Sequence, residues 1–151
     1  MLDNYYLEPD DFFKLIFRLF LALLIGAIIG IERERRRKPA GLRTHMLVSF
    51  GSAIFVVIPL QIISIQSHPE VVSRVIQGIA AGVGFLGAGE IVRESSQVSQ
   101  RLEVHGLTSA AAIWVSSGLG IAAGCGLWQL SLVGAIITFA ILNIFKRLEN
   151  S

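Results

Sequence analysis

Long apolar stretches alternate with short polar clusters along this chain. The stretches cover residues 12–31, 42–63 and 72–92, followed by a longer run over 107–145. A helix needs about 20 apolar residues to cross the hydrocarbon core of a bilayer. Each of the first three stretches is therefore long enough for one span, and the last run is long enough for two. Its break is Gly124-Cys125-Gly126, a flexible turn that leaves spans over 107–123 and 127–145. The pattern predicts an all-α, polytopic helical membrane bundle of about five transmembrane helices, forming one domain over 1–151. A four-span arrangement with one re-entrant segment is the alternative. Pro39-Ala40-Gly41 stops the first helix and turns the chain into the second, and residues 95–100 read as a polar linker.

Charge then sets the orientation. The first loop holds Arg33, Arg35, Arg36, Arg37, Lys38 and Arg43, and the positive-inside rule makes it cytoplasmic. The N-terminus is then outside, as is the loop with Ser67, His68 and Glu70. The loop with Arg93 and Arg101 is inside, the Cys125 turn outside, and Lys146, Arg147 and the C-terminus cytoplasmic. An odd number of spans and the charge bias agree.

Composition supports this reading. Hydrophobic residues make up 53% and charged residues 16%, against about a quarter charged in soluble domains, and the charges gather between the apolar stretches. A net charge of +2 says less than its placement: a basic block beside a span faces anionic lipid headgroups, and could also dock a protein partner. No basic face on a soluble domain can be assembled, so nucleic acid is not an expected partner. The start of the chain is acidic (Asp3, Glu8, Asp10, Asp11), the reverse of a signal peptide, so the first stretch is expected to persist as a span. A single cysteine, Cys125, permits no intramolecular disulfide and no thiolate metal site.

Membrane helices associate where small residues let backbones approach. Gly26 and Gly30 have that spacing in the first helix, and Ala112, Ser116, Gly120 and Gly124 share a stripe of the fourth. The third helix is richest: Gly78, Gly82 and Gly89 lie on one face, and Ala80, Gly84 and Gly87 on nearly the opposite one. Two flat faces predict a central helix packed between neighbours, with homo-oligomerisation as a second use. Its bulky stripe, Ile79, Val83, Leu86 and Glu90, is then expected to meet lipid.

Ionisable residues inside spans are candidates for function. Arg18, nearer the outer end, is expected to snorkel to headgroups, or to find Asp11 or Glu70 if it faces the bundle. Glu32 is expected in an interfacial ion pair with Arg33 or Arg43, and Glu90 in a local pair with Arg93. Glu32, Glu90 and Glu94 are weak candidates for Mg²⁺, which needs only one or two carboxylates. His45, His68 and His105 lack metal-ligand spacing. Gly82-x-Gly84-x-x-Gly87 matches a dinucleotide fingerprint but lies inside a span, where neither the required strand nor the helix start exists. Without a paired nucleophile and base or a P-loop, neither an enzyme nor a cofactor is expected.

Several stretches together resemble the MgtC/SapB family of bacterial membrane proteins. They are Gly26 through Gly30-x-Glu32-Arg33-Glu34, then Lys38-x-Ala40-Gly41-Leu42-Arg43-Thr44, Arg74, Gly82-x-Gly84-Phe85-Leu86-Gly87-Ala88-Gly89, and Gly106-Leu107-Thr108 with Trp114. The chain departs from the family at Val71, where an Asp is usual, at Glu90, where an apolar residue is usual, and at Ser109 in the threonine pair. The resemblance implies a multi-pass protein of the bacterial cytoplasmic (inner) membrane, linked to growth under magnesium limitation. It implies a modulator acting through a membrane partner, the F-type ATP synthase in the best-known case, and a cation transporter or channel is the alternative. The matching polar positions are Glu32, Arg33, Lys38, Arg43, Arg74 and Thr108. The soluble C-terminal domain of longer members has no counterpart in these 151 residues.

Overall fold

The computed structural model of the chain describes residues 11–62, 69–97 and 105–145. Five α-helices follow in order: α1 (Phe12–Arg35), α2 (Leu42–Ile62), α3 (Pro69–Gln97), α4 (Leu107–Gly124) and α5 (Trp128–Ala140), the last continuing as a π-helical turn (Ile141–Phe145). The first four are long and apolar enough to cross a membrane, and the apolar segment Trp128–Ile144 is shorter. At about 1.5 Å per residue, that last segment sits near the lower limit for a span. Large apolar side chains cover the outside, among them Phe13, Phe20, Phe55, Phe85 and Ile136, as expected where the solvent is hydrocarbon. α3 reaches Gln97, so helix continues into the first part of the expected polar linker. Residues 98–100 and His68, Lys146 and Arg147 lie outside the described residues.

Local chemistry explains the helix ends. Asp11 caps α1, its carboxylate accepting from the Lys14 amide at 3.3 Å and pairing with Lys14 Nζ at 2.6 Å. α1 stops before Pro39. The amides of Arg37 and Lys38 turn back onto the carbonyls of Glu34 and Arg33, which requires Arg37 to adopt φ +53°, a left-handed conformation. α4 closes in the same way through Gly126 at φ +82°, with the Gly126 and Leu127 amides bonded to the Ala123 and Ala122 carbonyls. Here glycine takes the conformation without a Cβ penalty.

α4 is the central helix, touching α1, α2, α3 and α5. This corrects the expectation that α3 holds that place. In the most apolar 18-residue window of each helix, 56% of α4 is buried against 17% of α3. α3 packs on α4 and more lightly on α2. A Cβ added at Gly78, Gly82, Gly84 or Gly89 would meet nothing, and only Gly87 of the α3 set approaches a neighbour, Ala110. The bulky stripe is used instead: Val83 packs with Ala40 and Ile113, with Ile79 beside them, while Leu86 stays outward. Glycines permit close approach but have little surface to bury, so by themselves they do not attract a partner.

Where small residues do pack, backbones nearly touch. A Cβ at Gly26 or Gly30 would strike the α2 backbone at His45–Met46 or at Leu42, and one at Gly120 or Gly124 would strike the carbonyls of Ser49 or Ala53. Serine hydroxyls stitch these contacts. Ser49 donates to the Ala22 carbonyl at 2.7 Å, Ser52 and Ser117 share a bond of 2.8 Å, and Ser131 donates to the Leu119 carbonyl at 2.7 Å. The apolar core between them comprises Ala22, Ile25, Ile29, Ala53, Ala112, Ala123 and Ala135.

Candidate functional site

The last turns of α1 carry Glu32, Arg33 and Arg36 toward the bundle. Glu32 and Arg33 are only 4% and 3% exposed, unusual for charged residues unless they are paired. Glu32 Oε1 forms an ion pair with Arg36 Nε, one helical turn on, while Oε2 lies 3.9 Å from Arg33 Nη1. The guanidinia in turn reach other elements. Arg33 Nη2 donates to Ser109 Oγ at 2.7 Å in the first turn of α4, and Arg36 Nη2 donates to Asn143 Oδ1 at 3.1 Å in the π-helical turn. Asn143 Nδ2 is held by the Phe139 carbonyl at 2.9 Å, so its amide is oriented before Arg36 meets it.

α2 adds His45, which is fully buried against α1 and lies within electrostatic reach of Glu32 and Arg33. Its Nδ1 donates to the Gly41 carbonyl at 2.9 Å, which leaves Nε2 as the acceptor in a neutral ring. Among the described residues, neither His45 Nε2 nor Glu32 Oε2 has a hydrogen bond. Glu34, on the outer side of the same turn, accepts from the Leu42 amide at 3.0 Å. It thereby caps α2 and opposes the positive end of that helix.

α1, α2, α4 and the π-helical turn thus meet in one buried cluster in which two guanidinia surround one carboxylate. Such a cluster stabilises a particular arrangement of helices, because any misplacement leaves a charge desolvated without its counter-ion. Its carboxylate is already engaged by protein cations, so a metal ion would have to displace them.

The remaining sequence candidates do not converge on this cluster. Arg43 is exposed near the start of α2, Lys38 is half-buried after α1, and Thr108 is exposed beside the buried Ser109, which makes the contact in its place. Arg74 is exposed near the start of α3, about four and a half turns from Glu90 by helix geometry. Glu32 pairs with Arg33 as expected, but its closer partner is Arg36 rather than Arg43. Glu90 is half-buried, and the side chains of Arg93 and Glu94 lie outside the described residues. Among the described residues, no three His, Cys, Asp or Glu side chains gather as a metal-binding set.

Arg18 is also corrected. It does not snorkel. It is 3% exposed, and its Nη1 donates to the Gly124 carbonyl at 3.0 Å. A cation at the last carbonyls of a helix satisfies groups that have no partner within the helix and sits at the negative end of its dipole. Beside it, burial pushes the Cys125 thiol up, with the Arg18 guanidinium opposing that shift.

Sequence spacing does not single out Ser109, Asn143 or Arg36. Each belongs to a different segment, and only their polar character at the ends of apolar runs hints at a common end of the bundle.

Comparison with known proteins places this architecture. Residues 19–151 match the MgtC family. The chain is 49% identical to Protein SrpB of Synechococcus elongatus, over 95% of this chain and 81% of that protein. It is 40% identical to Protein MgtC of Salmonella typhimurium (89% and 53% covered). It is 36% identical to the protein named "Putative magnesium transporter YhiD" of Escherichia coli (89% and 62% covered). The chain therefore spans about half to four-fifths of the length of these relatives. No solved structure matches significantly.

Proposed function

Since the chain belongs to the MgtC family, we propose that it is a non-enzymatic, multi-pass protein of the bacterial cytoplasmic membrane that serves magnesium or ionic homeostasis by acting on a membrane partner. The basic loop is on the cytoplasmic side in this reading, as the positive-inside rule requires. The observation that carries it is the state of Glu32. The buried carboxylate best suited to a cation is neutralised by Arg36 and Arg33. Between Arg18 and Glu32 the inward face of α1 consists of Leu21, Ala22, Ile25, Gly26, Ile29 and Gly30, closely packed on its neighbours. A conduction path needs polar groups and space at that depth. A membrane complex such as the F-type ATP synthase is the first partner to test.

Mg²⁺ uptake into proteoliposomes containing only the purified chain separates this reading from its alternative. Absence of flux from folded protein, with reproducible co-purification of one membrane complex, supports the modulator. Saturable flux abolished by Glu32→Gln overturns it in favour of a cation transporter. The transporter reading is favoured by one observation, the hydrogen-bonding capacity left at Glu32 Oε2 and His45 Nε2, and by the name that the relative YhiD carries.

A further inference from the structure

α2 and α3 touch lightly and leave a groove of about 620 Å³ between them. Leu47, Gly51 and Phe55 line one wall, and Ile79, Gly82 and Leu86 the other. The groove exists because glycines stand where side chains would fill it: a Cβ at Gly51, Gly78 or Gly82 meets nothing. An apolar cleft at membrane depth does not stay empty at no cost, since its walls forfeit dispersion contacts. Its size is that of a ligand pocket. The two helices remain in contact with each other, so the cleft suits a single hydrocarbon chain better than a helix about 10 Å wide.

Toward the basic loop, each wall of the groove continues one helical turn past its lining to a charged residue. Arg43 stands one turn before Leu47 on the same face of α2, and Glu90 one turn beyond Leu86 on the same face of α3. Both are at the end of the bundle that carries the basic loop. Arg43 is exposed, and among the described residues no carboxylate pairs with it. The nearby carboxylates of α1 are otherwise engaged, Glu32 with Arg36 and Glu34 with the Leu42 amide. Glu90 Oε1 is buried and has no hydrogen bond among the described residues.

We propose that the α2–α3 groove binds one amine-bearing glycerophospholipid, with an acyl chain between the helices, its phosphate on Arg43 and its ammonium on Glu90. The order of the three features matches such a lipid: hydrocarbon below, anion and cation together at the rim. A headgroup with only negative charge would satisfy Arg43 and be repelled by Glu90. A choline headgroup brings a cation that cannot donate a hydrogen bond to Glu90 Oε1.

The test is native mass spectrometry of the delipidated full chain in detergent, titrated with dioleoyl phosphatidylethanolamine, phosphatidylglycerol or phosphatidylcholine. The expected result is one bound phosphatidylethanolamine, with weaker uptake of the other two. Gly82→Leu fills the groove and abolishes binding, whereas Gly84→Leu, also in open space but outside the groove lining, leaves it intact. Arg43→Gln weakens it about fivefold, the worth of one basic side chain near a membrane surface. Circular dichroism confirms that each variant is folded. Should folding fail in Gly82→Leu, Gly51→Leu fills the opposite wall. Equal uptake of the three lipids, binding that survives a folded groove-filling variant, or a dimer that the groove-filling variant dissociates each overturns the proposal.

Discussion

Arg18 Nη1 donates to the carbonyl of Gly124 at 3.0 Å, and Arg33 Nη2 donates to Ser109 Oγ at 2.7 Å. The two contacts are offset by the same number of residues on both helices, about four turns. They fasten α1 antiparallel to α4 at both ends of the central helix. Between them the register is kept by shape: Gly26 and Gly30 of α1, and Gly120 and Gly124 of α4, each pack against the α2 backbone.

Replacing Arg18 by Met keeps much of the side-chain volume but removes the charged donor. We expect a loss of about 2 kcal/mol, the usual worth of a hydrogen bond to a charged group plus an abandoned carbonyl. Thermal unfolding in detergent reads the loss. A variant as stable as the parent would mean that Arg18 is dispensable to the fold.

Ser109→Ala removes the α4 side of the other fastening, with an expected cost of about 1.5 kcal/mol. Glu32→Gln is more severe, at about 3 kcal/mol, because it leaves the guanidinia of Arg36 and Arg33 without their carboxylate in a buried site. The ranking of the two midpoints by thermal scanning is the readout.

Gly120→Ala and Gly82→Ala should have opposite signs. The first drives a methyl into the Ser49 carbonyl, a backbone atom that moves only with its helix, so the variant is destabilised. The second faces open space and gains helix propensity, worth up to about 1 kcal/mol. Paired melting curves check the contrast.

Arg37→Gly should stabilise the chain by about 0.5–1 kcal/mol. Arg37 is exposed and holds a left-handed conformation at φ +53°, which glycine adopts without strain. A lowered melting temperature would point to an unrecognised contact of the Arg37 side chain.

Cys125 should react slowly with a maleimide at neutral pH. Burial raises its thiol pKa, and Arg18 only partly opposes this. The nucleophile is the thiolate, so at a given pH less of it is present than for a free cysteine. The rate should therefore rise with pH along a curve displaced to higher pH than that of glutathione in the same buffer.

The helices and their order were legible because apolar length and loop charge are local properties of a chain. The stretches over 12–31, 42–63, 72–92, 107–123 and 127–145 correspond to α1, α2, α3, α4 and α5 with its π-helical turn. Gly126 ends α4 at the Gly-Cys-Gly turn. Glu32 and Arg33 were visible as charges beside an apolar run, but their depth was not. Whether such a residue reaches the headgroups or turns inward depends on what stands opposite, here Ser109 and Asn143 from distant segments.

The sequence by itself determined the class of protein, because 20-residue apolar runs and small-residue stripes can be satisfied only by helices in a bilayer. It did not determine which helix is central. α3 and α4 both present small residues at helical spacing, and periodicity treats them alike. Only the tertiary structure decided that α4 carries Ala112, Ser116, Gly120 and Gly124 into contact, while the glycines of α3 open onto a groove. The physical reason is that a small residue removes an obstacle without supplying an attraction. What fills the space is decided by hydroxyls, guanidinia and apolar side chains brought from elsewhere in the chain.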